Sequence, residues 1–173
     1  MIVELARVRP AWPADLAEVA GIYAHYVNET AATFDVEPPT RSEWSGRFWR
    51  VAEAGLPFLV AEVGRENGLE VAGFAYCSPW KPRRGYQGTV EDSIYVAPWA
   101  TGMGVGSALM TQLLAACLEH GIRDVLAVIV DTGDPASVAL HTRFGFAEVG
   151  RLGGVGAKLG RRWDTVLLQR PLG

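Results

Sequence analysis

"TVEDSIYVAPWATGMGVGSALMTQLLAACLEHG" (Thr89–Gly121) decides how this chain is read. A strand-like alternation gives way to three glycines, Gly102, Gly104 and Gly106, and then to an apolar run of helical period. A strand, a tight turn and a helix start together present backbone N–H groups to an anion. The spacing is G-x-G-x-G. A dinucleotide-binding turn needs G-x-G-x-x-G after the first strand, whereas this turn follows the fourth. A P-loop needs Gly-Lys-Ser/Thr, and no lysine stands near. A plain strand-to-helix connection would need one glycine. Three in five residues point to a ligand that approaches the backbone closely.

Upstream, "IVELARVRP" alternates and ends at a proline, which predicts a first strand over 2–10. Pro13 and Asp15 suit the start of a helix whose inner face carries Leu16, Val19, Ala20, Tyr23 and Val27. "TRSE" is a capping box, Thr40 with Glu43, and opens a second helix that runs to about residue 54. "PFLVAEV" and "EVAGFAYCS" flank the turn "GRENG" and read as a hairpin. "PWKPRRGYQG" then makes a loop, long for a hairpin connection, and long loops inside compact domains are often functional. Downstream of the glycine helix, "DVLAVIV" reads as a strand buried on both faces. "DPASVALHTRFG" is a short helix, with Asp134 as a candidate cap and Gly145 as its left-handed stop. "FAEVGRL" and "RWDTVLLQRPL" close the chain as strands. The order is β-α-α-β-β-β-α-β-α-β-β, an α/β (α+β) domain with a mixed, mostly antiparallel sheet of about seven strands and four helices.

The 173 residues suit one domain, 1–173, with a sizeable core. A formal net charge of −3 gives no basic excess for nucleic acid, and no basic tract or long apolar run points to a membrane. The N-terminal "MIVELARVRP" is too charged for a signal peptide. Two cysteines, Cys77 and Cys117, with no C-x-x-C pair, read as buried free thiols in a reducing cytoplasm. No His, Cys and carboxylate cluster has metal-ligand spacing, so no metal is expected.

"VEDSIYVAP", "TGMGVG", a following amphipathic helix and "DPASVALHTRFGF" together resemble the GNAT family of N-acetyltransferases. With "ATFDVEPPTRSEW" and "PWKPRRGY" the chain is similar to its phosphinothricin acetyltransferase-like branch from about Val8 to the C-terminus. The resemblance implies the GNAT fold, acetyl-coenzyme A as co-substrate, and direct transfer of acetyl to a small amine, within a chain that forms homodimers. The implied substrates are phosphinothricin, methionine sulfoximine or sulfone, or a free amino acid.

The resemblance also distributes the work over residues. The turn Thr101, Gly102, Met103, Gly104, Val105, Gly106 and Ser107 would hold the pyrophosphate, although Thr101 stands where the family has Gln or Arg. Tyr95 and Val96 on the preceding strand, and Asp134 and Ser137 near the next helix, would line the coenzyme. An oxyanion donor would come from the backbone near Tyr95 or Val96, where the family's fourth strand bulges. An ammonium must lose a proton before its nitrogen attacks a thioester, and the departing thiolate needs a donor. Glu91 occupies the branch's catalytic glutamate position, and Asp92, next to it, must face the other side of the sheet. His141 stands where most of the family has Tyr, and would donate to the sulfur or relay a proton. Phe34, Trp80, Lys81, Arg83 and Tyr86 would bind substrate, cations gripping a carboxylate and aromatics walling the pocket. The alternative is transfer to another amine, a polyamine or a peptide N-terminus; a polyamine site would want carboxylates rather than this cationic loop. A non-catalytic acyl-coenzyme A sensor would not need Glu91 and His141.

Overall fold

The computed structural model describes residues 6–173, so the 2–5 part of the expected first strand lies outside the described residues. The elements run β1 (Arg7–Pro10), α1 (Leu16–Glu29), α2 (Arg41–Glu53), β2 (Phe58–Arg65), β3 (Gly68–Pro79), β4 (Thr89–Val96), α3 (Val105–Glu119), β5 (Asp124–Val130), α4 (Ala136–Arg143), β6 (Ala147–Lys158) and β7 (Arg161–Pro171). This is the order read from the sequence. The strands form one sheet in the order β1-β2-β3-β4-β5-β7-β6, and among the described residues only β4 and β5 pair in parallel.

Helices cover both faces. Tyr23 of α1 meets Tyr95, and Trp44 of α2 meets Phe74, edge to face. A Cβ on the neighbouring Gly73 would lie 3.0 Å from Val105 and 3.1 Å from Leu109 of α3. Adjacent strand residues point to opposite faces, so α1 and α2 cover one face and α3 the other. Val19, Val60, Phe74, Leu109, Met110 and Leu113 are all fully buried in the resulting core. Among the described residues no helix is long and apolar enough to cross a membrane.

Local chemistry follows the sequence closely at α2. The Thr40 hydroxyl accepts from the Glu43 N–H, and the Glu43 carboxylate accepts from the Thr40 N–H at 2.7 Å. Asp15 stands at the start of α1, as expected, where it also ties down the preceding segment. It is buried, accepts from Arg9 at 2.8 and 2.9 Å and from the Trp12 N–H at 2.7 Å, in a 3-10 turn over Pro13–Asp15. β5 is not buried on both faces: Val125 and Ala127 are, but Val128 is 36% exposed, because α1 and α2 pack on β2, β3 and β4 rather than on β5. β6 continues past "FAEVGRL" to Lys158, through a register irregularity between Leu152 and Gly156.

Candidate active site

The site begins where β4 and β5 stop pairing. They are in register only from Thr89 with Asp124 to Glu91 with Leu126. Beyond that point β4 stays bound to β3 through Val96, and β5 to β7 through Val130. The strands part, and a cleft of about 380 Å³ opens between them. Its lining includes Glu91, Asp92, Tyr95, Val96, Thr101, Asp134, Ser137, Leu140 and His141. The strand edges in it carry backbone groups with no strand partner.

Which groups those are follows from alternation. The Ala97 N–H donates to the Ala72 carbonyl at 2.8 Å, and the Thr89 carbonyl accepts from the Trp80 N–H at 3.1 Å. Odd-numbered residues of this stretch therefore present N–H and C=O to β3, and Ile94 and Val96 present theirs to the cleft. The Tyr26 hydroxyl donates to the Val96 carbonyl at 2.5 Å from that side. Of the two expected donors, Tyr95 is thus turned to β3, and Val96 with Ile94 is left. No bulge separates the strands: the β3–β4 register is unbroken from Gly73 with Val96 to Pro79 with Val90.

The glycine turn sits at the wide end of the cleft. Gly102 (φ 81°) and Gly104 (φ 80°) both adopt the left-handed conformation, and Gly104 is the N-cap of α3. Gly106 is ordinary helix, but a Cβ there would lie 3.3 Å from Leu140 of α4 and 3.7 Å from Val96. Among the described residues no acceptor meets the N–H groups of Gly104, Val105, Gly106 and Ser107. Four free donors at the positive end of a helix fit an anion such as a pyrophosphate. The Val105 side chain is buried, so only its backbone faces outward, whereas Met103 is exposed. Asp134 accepts from the Ala136 N–H at 2.9 Å, which starts α4.

Glu91 and Asp92 do point to opposite faces, and both reach the cleft. Burial, then the charge of Asp92, raises the pKa of Glu91 from its ordinary value, while Lys81 opposes the rise. The rise makes this carboxylate more basic than an exposed one. His141 is almost wholly buried. Its Nδ1 lies 2.7 Å from the Ser137 carbonyl and its Nε2 lies 2.9 Å from Asp92 Oδ2. Phe146 packs edge-on against the ring at 4.9 Å. Burial acts to lower the pKa of His141, but hydrogen bonding and charge from Asp92, with the Ser137 carbonyl, leave it raised.

The residues expected to hold an amine do not share one cavity. Lys81, Arg83 and Tyr86 are exposed and line a second hollow of about 800 Å³ beside the start of β4. Lys81 lies 4.6 Å over the half-buried Trp80 ring. Phe34 is elsewhere, its ring seated where a Cβ of Gly156 on β6 would be. Beside it, Lys158 of β6 donates to the Thr33 carbonyl at 2.8 Å and ties the β6–β7 hairpin to the loop after α1. Sequence reasoning did not find Asp92 as a partner of His141, or Tyr26. No signal in the sequence marks Tyr26, but an acid next to Glu91 on a strand had to face the second helical layer, where His141 lies.

The model of the acetyltransferase (GNAT) family matches residues 16–146. A phosphinothricin N-acetyltransferase of Alcaligenes faecalis is 45% identical over 98% of this chain and 86% of its own. An L-methionine sulfoximine/L-methionine sulfone acetyltransferase of Pseudomonas aeruginosa is 34% identical over 95% of this chain and 93% of its own. The crystal structure of a phosphinothricin acetyltransferase from Sinorhizobium meliloti, in complex with acetyl-coenzyme A, superposes with a TM-score of 0.91 at 40% identity, covering 98% of this chain and 90% of that one. With the splayed β4–β5 pair, the free helix start of α3 and matches along nearly its whole length, this chain belongs to the acetyltransferase (GNAT) family.

Proposed function

We propose that the chain is an acetyl-coenzyme A dependent N-acetyltransferase that acts on the amino group of a small amino-acid-like substrate. The observation that carries this is the cleft itself: unpaired strand edges lead from four free N–H groups at the start of α3 to Glu91 and His141. The turn Thr101–Ser107 holds the pyrophosphate, and Val96, Asp134 and Ser137 flank the arm that follows. Tyr95 also lines the cleft, its ring packed on Tyr23 and Tyr26.

The chemistry is divided among few groups. Glu91 accepts the ammonium proton, directly or through water. The freed nitrogen attacks the thioester carbonyl, a C–N bond forms, and the backbone N–H of Val96 or Ile94 stabilises the developing oxyanion. The C–S bond then breaks, the second nitrogen proton goes to the departing sulfur, and the proton on Glu91 passes to solvent. Lys81 and Arg83 grip the carboxylate of the substrate near Glu91, with Trp80 and Tyr86 beside them, while Phe34, seated on Gly156, bounds the substrate from the β6 side. The charge of Lys81 opposes the rise in Glu91's pKa, which supports this placement.

The free thiols of Cys77 and Cys117, fully buried, suit the cytoplasm. A second copy of the chain covers β6, an edge strand that exposes Val149, Leu152 and Val155. Sedimentation should then give a dimer, and a monomer would remove that assignment. The test of the activity is release of free thiol from acetyl-coenzyme A with a panel of amino acids, phosphinothricin, methionine sulfoximine and methionine sulfone. Release with at least one is expected. Coenzyme binding without release for any of them would overturn the reading.

A further inference from the structure

We propose that Asp92 is a positioning residue that acts through His141, holding the ring at the cleft and keeping a single proton fixed between the two side chains. This rests on the acetyl-transfer reading above. The argument is one of proton inventory. A carbonyl oxygen only accepts, so the 2.7 Å contact with Ser137 requires a hydrogen on Nδ1. The 2.9 Å contact between Nε2 and Asp92 Oδ2 then holds one proton more. Removing that proton would set a carboxylate against the lone pair of Nε2, with both side chains 2% exposed. Adding another would leave two hydrogens facing each other. The geometry therefore favours one proton between the two side chains. Burial acts to lower the pKa of His141, but the contact with Asp92 acts to raise it and keeps that proton on the ring as an imidazolium.

Among the described residues no other side chain hydrogen-bonds to Asp92 or to the His141 ring. Cys77 is the register partner of Asp92 on β3, and its sulfur lies 3.4 Å from that of Cys117 on α3, so the core side of Asp92 carries thiols. Glu91 points to the opposite face. The Ser137 carbonyl and the Phe146 ring also contact the imidazole. His141 is thus poorly suited to give its proton away. It serves as a fixed positive charge at the cleft, which favours the thiolate as the C–S bond breaks. Asp92 keeps that charge constant while Glu91 and the amine titrate around it.

The test is Asp92→Asn, which keeps the shape and lets a neutral ring accept from the amide. kcat is measured for wild type and variant from about pH 5 to pH 8, and the titration of the ring is followed by NMR. In wild type the His141 ring should stay doubly protonated throughout. In the variant it should titrate, and the ratio of variant to wild-type kcat should fall with rising pH by about tenfold or more. A ratio independent of pH, whether reduced or not, would overturn the proposal, because a merely structural aspartate lowers kcat equally at every pH. Should the variant not fold, the wild-type ring decides alone: a ring that titrates within the same range, or stays neutral throughout it, overturns the proposal, and a ring that stays doubly protonated supports it. Failure of acetyl transfer in wild type strikes the activity instead, and leaves the NMR result to judge the pair.

Discussion

Replacing Gly104 separates two explanations of the glycine turn. The residue caps α3 at φ 80° and ψ 2°, and a Cβ there would meet nothing within 4 Å. Steric crowding is absent, so the cost of a side chain is that of the left-handed backbone, about 1–2 kcal/mol for an L-residue. At roughly 2–4 °C per kcal/mol for a chain of this size, Gly104→Ala should lower Tm by about 2–8 °C. Asparagine is larger than alanine but tolerates this conformation better, so Gly104→Asn should lose less, and Gly104→Val the most. Coenzyme affinity should fall in the same order, because relief of the strain turns the N–H groups away from the anion. Gly21 is the control. It too has nothing within 4 Å, but it lies inside α1 without a positive φ. Gly21→Ala should therefore stabilise, by about 0.5–1 kcal/mol. The measurements are thermal denaturation and titration with acetyl-coenzyme A. If the losses at Gly104 followed side-chain size, with Asn worse than Ala, the backbone argument would be refuted.

Two further outcomes follow from the site. Glu91→Gln should lower kcat by about 10²–10⁴-fold, measured by thiol release. The raised pKa of Glu91 means that the folded chain binds more protons than the unfolded one between the ordinary glutamate value and the raised one, so this group costs stability as pH rises through that window. The variant should then melt above wild type at neutral pH and match it in acid; a lower Tm at both would refute the assignment. Gly156→Ala would put a Cβ where the Phe34 ring lies, so the ring must leave. KM for the amine should rise about tenfold with coenzyme affinity unchanged, and unchanged KM would remove Phe34 from the pocket.

The parts of the fold that were legible have local causes. The Thr40–Glu43 box, the apolar face of α1 and the left-handed stop at Gly145 are each set by residues within a turn or two. Errors came where local pattern and tertiary demand differ. The glycines after Leu152 fall outside both expected closing strands, yet β6 continues across them, because β7 pairs with it on both sides of the irregularity, up to Leu152 and again from Gly156. The apolar run of β5 read as doubly buried, yet one side borders an open cleft.

By itself the sequence determined the order of elements, the helix start at Gly104 and the opposed faces of Glu91 and Asp92, because periodicity and backbone conformation are local properties. Tertiary structure alone decided that β4 and β5 part after Glu91, that Val96 rather than Tyr95 turns its N–H to the gap, and that Asp92 meets His141 from 49 residues away. The same holds for Phe34, seated on Gly156 rather than beside Lys81. Those facts depend on which edges pair and which layers meet, and such contacts between distant segments leave no periodic trace in the chain.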